Sequence, residues 1–266
     1  MNRGAQSCTI RIGTSGWHYK HWVGEVYPDR WPASKMLAWY QEHFDTVEVN
    51  NSFYRLPAEE AVQGWRSSTP PQFCFAVKGS RFLTHMKKLK DPAAGLEKFF
   101  SRVDLLGAKL GPILFQLPPH FEVNTQRLEN FLKALPRHHK YAFEFRDPTW
   151  NHQEVFHLLK KYKAAYCAFD LAGYQSPIEL TTDFTYVRLH GPGNKYQGSY
   201  TDDALHKWVC RINDWRTGLK AIYIYFDNDQ AGYAAHNALR LRELVMKTPE
   251  ASSPVTPAAI RTWTHD

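Results

Sequence analysis

The feature that most constrains the fold is a rhythm. Eight short runs rich in β-branched and aromatic residues recur along the chain: CTIRIGT (8–14), TVEVN (46–50), FCFAVKG (73–79), ILFQLP (113–118), YAFEFR (141–146), AAYCAFD (164–170), TYVRLHG (185–191) and AIYIYFDN (221–228). Between them, apolar residues repeat at helical period over 36–44, 58–67, 96–106, 125–135, 152–162, 201–215 and 233–245. Strands alternating with helices build a parallel sheet. Seven helices serve eight strands, because LAGYQSPIELTTD, ahead of Phe184, is broken by Gly173 and Pro177 and cannot hold a full helix. The expected fold is therefore α/β, a TIM-type (β/α)8 barrel whose crossover after strand six lacks a full helix. No GxGxxG or Walker A sequence supports an open nucleotide-binding sheet, and no internal repeat is present.

A chain of 266 residues with 43% hydrophobic content can bury a core of that size. The barrel is expected to occupy residues 1–246 as one domain, leaving a Pro-, Ser-, Thr- and Ala-rich tail over 247–266 that reads as disordered. Thirty-three Lys and Arg against 26 Asp and Glu give a charge of +7, a mild attraction for anions. No basic run of five or more residues occurs, so nucleic acid as a partner draws little support. Cys8, Cys74, Cys167 and Cys210 lie far apart without CxxC spacing and read as reduced, buried small hydrophobes. Neither an apolar leader nor a stretch of about 18 uncharged apolar residues is present, so a soluble cytoplasmic protein without membrane contact is the expectation.

Side chains alternate across a strand, which splits each run into two faces. One is apolar: Val47 and Val49, Phe73, Phe75 and Val77, Ile113, Phe115 and Leu117, Phe143 and Phe145, Cys167 and Phe169, Val187 and Leu189, and Ile222, Ile224 and Phe226. The other turns polar at the strand's C-terminal end: Glu48 and Asn50, Lys78, Gln116, Glu144 and Arg146, Asp170, Arg188 and His190, and Tyr225 and Asp227. Inward residues at the C-terminal ends of barrel strands floor the active site. Buried ion pairs that merely organise the barrel would look similar residue by residue, but a core needs no such layer, since hydrophobic replacements would be at least as stable.

Lys78, Arg146 and Arg188 oppose Glu48, Glu144, Asp170 and Asp227. That near-balance favours salt-bridged acid/base groups around a polar or anionic small molecule over a two-metal site, which needs excess carboxylate and imidazole. No cofactor is expected. A single divalent ion stays open, with Glu144, Asp170, His190 and Asp227 as its ligands, in the manner of sugar-isomerase and apurinic-endonuclease barrels. Loops above the floor add Trp17 from GWHYKHW, Tyr54 from NSFYR, and His85 from GSRFLTH as rim groups, although loop rings folded into the core would give the same pattern. HGPGNKYQGSYT frees its backbone at Gly191, Gly193 and Gly198, carries Lys195, and places Thr201 to cap the next helix, so it is a candidate anion loop.

Taken in order, IGTSGWHYKHWVGEVYP, TVEVNNSFYRLP, FAVKGSRFLTH, KLGPILFQLPPHF, FEFRDPTW, YVRLHGP and YIYFDND with GYAAHNA resemble the YecE-like family, also called domain of unknown function 72. The resemblance runs from about Ile10 to Leu244. It implies a TIM barrel and no established activity. The family's motif positions fall on Thr14, Gly16, Trp17, Glu48, Asn50, Phe53, Tyr54, Lys78, His85, Gln116, Glu144, Arg146, Asp170, Arg188, His190, Gly191, Tyr225 and Asn228. Asn51 and Asp227 fall where members are expected to vary, with Asn228 the alternative to Asp227.

Three functions use these residues. In the first, an enzyme (a hydrolase, lyase or isomerase) applies acid/base chemistry to a sugar- or phosphate-bearing substrate. Glu48 or Glu144 is the base, His190 the acid and Asp170 a further catalytic group. Lys78, Arg146 and Arg188 hold the anion; Asn50, Gln116, Tyr54, Trp17, His85, Lys195, Tyr225 and Asn228 complete the pocket. The second is a metal-dependent phosphodiesterase or nuclease, and the third a ligand-binding module without turnover. The sequence leaves the oligomeric state open.

Overall fold

The computed structural model describes residues 8–248. Its strands are β1 (Thr9–Thr14), β2 (Thr46–Val49), β3 (Cys74–Lys78), β4 (Leu110–Leu117), β5 (Tyr141–Phe145), β6 (Ala165–Leu171), β7 (Tyr174–Gln175), β8 (Phe184–Leu189) and β9 (Ala221–Phe226). All but β7 run parallel in the order β1-β9-β8-β6-β5-β4-β3-β2. The eight long strands are the expected ones. Closure of the ring falls to β1 and β2, which meet through a parallel bridge from Ser15 to Glu48. Gly13 permits that approach, since a Cβ there would collide with the Thr46 carbonyl. Polar groups reinforce the seam: Arg11 donates to the Asp45 carbonyl and carboxylate, each at 2.9 Å. The Tyr40 hydroxyl accepts from the Thr14 N–H at 3.0 Å and lies 3.1 Å from the Thr46 carbonyl.

The seven expected helices form as α1 (Met36–His43), α3 (Glu59–Ser68), α4 (Ala93–Val103), α5 (Thr125–Ala134), α6 (Gln153–Lys161), α7 (Asp202–Trp215) and α8 (Tyr233–Lys247). Each turns an apolar stripe inward, such as Leu96, Phe99, Phe100 and Val103 on α4. Short elements without a counterpart in the periodicity are α2 (Asn51–Tyr54) and a π-helical turn at Phe82–Met86. Both sit at the C-terminal mouth. Lys247 is the last residue of α8, and the rest of the expected tail, from residue 249, lies outside the described residues. No described helix is long and apolar enough to cross a membrane.

The crossover after β6 has no helix. Instead β7 pairs antiparallel with the end of β6, and side chains of the returning loop satisfy the strand's backbone. Ser176 Oγ accepts from the Phe169 N–H at 2.9 Å, while Thr181 Oγ1 accepts from Tyr166 N–H at 2.8 Å and donates to the Ala164 carbonyl at 2.6 Å.

Outward faces of β2, β3, β4, β5, β8 and β9 pack their apolar residues against the helices, as the alternation predicts. Inside, Leu114, Ala142, Phe184, Tyr186, Tyr223 and Tyr225 fill the lower barrel. On β6 the split is reversed. Its register sets Cys167 beside Tyr186, Phe169 beside Arg188, and Asp170 beside Leu189. Neighbours so paired on parallel strands point the same way, so Cys167 and Phe169 face inward and Asp170 faces the helices. Of the four cysteines, all unpaired, Cys167 is buried, Cys8 and Cys74 are half-buried, and Cys210 is exposed on α7, against the expectation of four buried thiols.

Candidate active site

The inward polar tips of β2, β5, β8 and β9 converge on one guanidinium. Arg188, wholly buried, donates from Nε and Nη2 to Glu48 at 2.7–3.2 Å, from Nη1 to Glu144 at 3.0 Å, and from Nη2 to Asp227 at 3.0 Å and Ser15 Oγ at 3.1 Å. Glu48 also accepts from Tyr186 Oη at 2.6 Å and from Ser15 Oγ. Glu144 accepts from Arg146 Nε through its other oxygen. Both oxygens of Glu48 and of Glu144 are therefore engaged. Burial opposes ionisation of Glu144, but the Arg146 and Arg188 guanidinium groups outweigh it and hold the carboxyl well below its usual range. Asp227 is likewise lowered, burial being outweighed by Arg188 and His190.

His190 stands beside this hub. Its Nδ1 lies 3.0 Å from Asp227 Oδ2, and its Nε2 lies 2.8 Å from Arg146 Nη2 and 3.4 Å from Arg188 Nη1. Guanidinium nitrogens only donate, so Nε2 must accept. With Nε2 accepting, Nδ1 is left as the ring's N–H position, and it stands beside Asp227 without a hydrogen bond to it among the described residues. Tyr196 lies edge-on over the ring at 5.4 Å, and Arg146 stacks on Phe169 at 4.6 Å.

Lys78 completes the floor differently. Its Nζ makes no hydrogen bond or ion pair among the described residues and lies 4.3 Å over the Phe53 ring, which the α2 turn places there. Ser52 Oγ fixes that turn by donating to the Lys78 carbonyl at 2.7 Å. Burial, aided by the nearby charge of Arg188, lowers the Lys78 ammonium from 10.5 to about 8, against the pull of Glu144, Asp227 and Glu48. His85 packs edge-on against Phe53 at 4.9 Å. Burial and then Lys78 and Arg81 lower it to about 4, so it is neutral at pH 7.

Other expected site residues divide sharply. Asn50 belongs to the floor: its Nδ2 donates to Ser15 Oγ at 2.6 Å and its Oδ1 is buried without a partner among the described residues. Gln116 stands in register with Glu144 on the adjoining strand. Tyr54 projects to solvent, 78% exposed, over a groove of about 1000 Å³ that also includes Arg55, Phe82 and Lys98. Trp17 leaves the rim altogether and packs edge-on against Trp65 and Phe75 in the outer core. Tyr225 is wholly buried inside the barrel, its hydroxyl 2.7 Å from Thr46 Oγ1. Asn228 ties the loop before α7 to α8, donating to the Gly198 carbonyl at 2.8 Å and to Asn237 at 2.9 Å.

In the glycine loop after β8 the three glycine N–H groups are engaged within the fold: Gly191 donates to Tyr200 Oη at 3.0 Å, Gly193 to the Gln197 carbonyl at 3.4 Å and Gly198 to Gln230 at 3.3 Å. Lys195 is exposed on it. Thr201 does cap α7, accepting from Ala204 N–H.

Asp170 stands outside the layer. Burial raises its carboxyl, eased by His190 and by Arg211 of α7, and its Oδ1 has no hydrogen-bond partner among the described residues. The expected metal ligands Glu144, Asp170, His190 and Asp227 thus do not form a ring. Arg188 occupies the point where carboxylates converge, and among the described residues no group of three or more His, Cys, Asp and Glu is arranged to hold a metal ion. The residues present do not fit that group.

Ser15, Tyr186 and Tyr196 were not among the expected site residues. Tyr186 had a signal, since it alternates with Arg188 and His190 on the inward face. Ser15 and Tyr196 lie in loops, where alternation gives no guide.

A family model described as a protein of unknown function, DUF72, matches residues 11–261. Among curated relatives, UPF0759 protein YunF of Bacillus subtilis (strain 168) is 25% identical over 89% of this chain and 94% of its own length. UPF0759 protein YecE of Escherichia coli (strain K12) is 31% identical over 53% of this chain and half of its own. Among solved structures, a DUF72 family protein from Thermotoga maritima MSB8 superposes with a TM-score of 0.82 at 27% identity, over 90% of this chain and all of that one. Another, from Enterococcus faecalis V583, gives 0.73 at 18% identity over 94% of this chain and all of that one, a likeness of fold alone.

Proposed function

The chain belongs to the DUF72 family of proteins of unknown function, and because that name carries no chemistry, we propose a function from the site itself: an enzyme that moves protons on a small anionic substrate bound at the C-terminal mouth of the barrel. The carrying observation is an asymmetry among the cations. Arg188 spends its donors on buried acceptors, whereas Lys78 Nζ has no acceptor and Arg146 Nη1 makes no hydrogen bond among the described residues. Two cationic groups with unspent donors at one mouth form a receptor for carboxylate or phosphate.

Roles shift accordingly. With every oxygen engaged and Glu144 held far into its ionised range, Glu48 and Glu144 are fixed counter-charges and poor bases. Proton transfer passes to His190, whose Nε2 lone pair faces Arg146 and whose Nδ1 stands 3.0 Å from Asp227. The substrate anion competes with that nitrogen for Arg146.

A thermal-shift screen of inorganic phosphate, sugar phosphates, small carboxylic acids, nucleotides and neutral sugars tests the reading. Anionic compounds should raise Tm by several degrees, and Arg146→Met should abolish the rise. Equal shifts from neutral sugars, or a full shift surviving in Arg146→Met, would sink the proposed receptor. If a stabilising compound is recovered unaltered after long incubation, turnover falls and a binding module remains.

A further inference from the structure

We infer that Lys78 is a nucleophile, forming an imine with the aldehyde or ketone carbon of a substrate that also bears an anionic group. This rests on the proposed mouth receptor and names the class of its substrate. The geometry sets Lys78 apart from the other cations of the floor. Arg146 and Arg188 are bound to carboxylates, whereas Lys78, a residue 9% exposed at the inward end of β3, has no carboxylate within ion-pair distance of its amine among the described residues. The amine lies over the Phe53 ring at 4.3 Å, a contact that leaves the nitrogen lone pair unused once the proton departs. A lysine retained only to bind charge gains from full hydration or a tight partner, and this one has neither.

Desolvation is the usual device for making a lysine amine nucleophilic near neutral pH. Here the ammonium lowered to about 8 leaves an appreciable fraction as free amine at pH 7.5. Around it stand Arg188, Glu144, Asp227 and Glu48 from the floor and neutral His85 from the π-helical turn, none of them within bonding distance of the amine.

The step balances without a further reactant. The amine nitrogen adds to the carbonyl carbon, the C–O bond breaks, and the oxygen leaves as water carrying both amine hydrogens. The imine, once protonated, draws electrons from an adjacent C–H or C–C bond. Arg146 Nη1 is the group placed to hold the substrate's anionic end.

Incubation of the full chain with dihydroxyacetone phosphate and sodium cyanoborohydride at pH 7.5, followed by peptide mass mapping, reads the adduct directly. The reduced adduct should accumulate on Lys78 at least tenfold faster than on any exposed lysine. Lys78→Arg, which keeps a charge and removes the amine, should show no adduct in that peptide. Labelling of Lys78 at or below the rate of exposed lysines overturns the inference. In that case a phosphate-induced shift that persists in wild type leaves the anion receptor standing, and loss of both removes the receptor as well.

Discussion

At the scale of single residues, Arg188 and Lys78 make opposite predictions although both are buried cations on one floor. Removing Arg188 as Arg188→Met strands Glu48, Glu144 and Asp227 without their shared donor. Breaking one side of a buried ion pair costs about 3–5 kcal/mol, and here three carboxylates lose a partner together. A gentler variant, Tyr186→Phe, deletes one donor to the charged Glu48 and should cost about 1.5–3 kcal/mol with the charge pattern intact. Lys78→Met deletes a desolvated charge that has no ion-pair partner among the described residues, so it should leave stability at pH 7 unchanged or raised. Urea midpoints read all three, and a Lys78→Met protein as unstable as Arg188→Met would mean that the ammonium has a partner the geometry lacks. Parity along a strand foretold the polar floor: Glu48, Lys78, Glu144, Arg188, His190 and Asp227 all point inward. It carried no information on saturation. Whether Glu48 is a base or a counter-charge depends on Ser15 and Tyr186, separated from it by 33 and 138 positions.

At the scale of elements, β6 shows where reading a sequence by alternation runs out. In AAYCAFD both faces are apolar until Asp170, so polarity does not fix which parity faces the barrel. Backbone register decides it, by setting Phe169 beside Arg188. The missing crossover helix was legible because Gly173 and Pro177 forbid it; the hydroxyls that replace it were not, since a serine and a threonine in a loop announce nothing by themselves. Thr181 bridges the backbone of Tyr166 and Ala164 from a buried position. Thr181→Val keeps its shape and removes both bonds, leaving a buried N–H unsatisfied, so unfolding free energy should fall by about 1–3 kcal/mol. Because this seam lies outside the floor, the phosphate-induced thermal shift should persist in the variant. A shift lost along with the stability would tie the crossover to the mouth.

The whole molecule adds these charges into a stability profile with a definite shape. On the acid side, His85, Glu144 and Asp227 all have folded values below their unfolded ones. Each then contributes fully above its unfolded value and is lost as pH falls: His85 between about 6.5 and 4, the carboxylates below about 4. On the alkaline side, burial raises Tyr40, Tyr186, Tyr223 and Tyr225, whose contribution is intact below about pH 10 and lost above it as the unfolded chain ionises first. Lys78 works between these limbs. Its folded value of about 8 lies below the ordinary value of 10.5, so charging it costs the folded state in full below pH 8 and progressively less above. Stability should therefore climb from pH 8 toward 10, by an amount on the order of a few kcal/mol at most, before the tyrosines turn it down. In Lys78→Met the climb should vanish while the acid limb stays in place. Urea unfolding at intervals from pH 3 to 11 on both proteins reads the difference. Superimposed profiles between pH 8 and 10 would show that the Lys78 amine titrates as an ordinary solvated lysine, and the free amine required for imine chemistry near neutral pH would be absent.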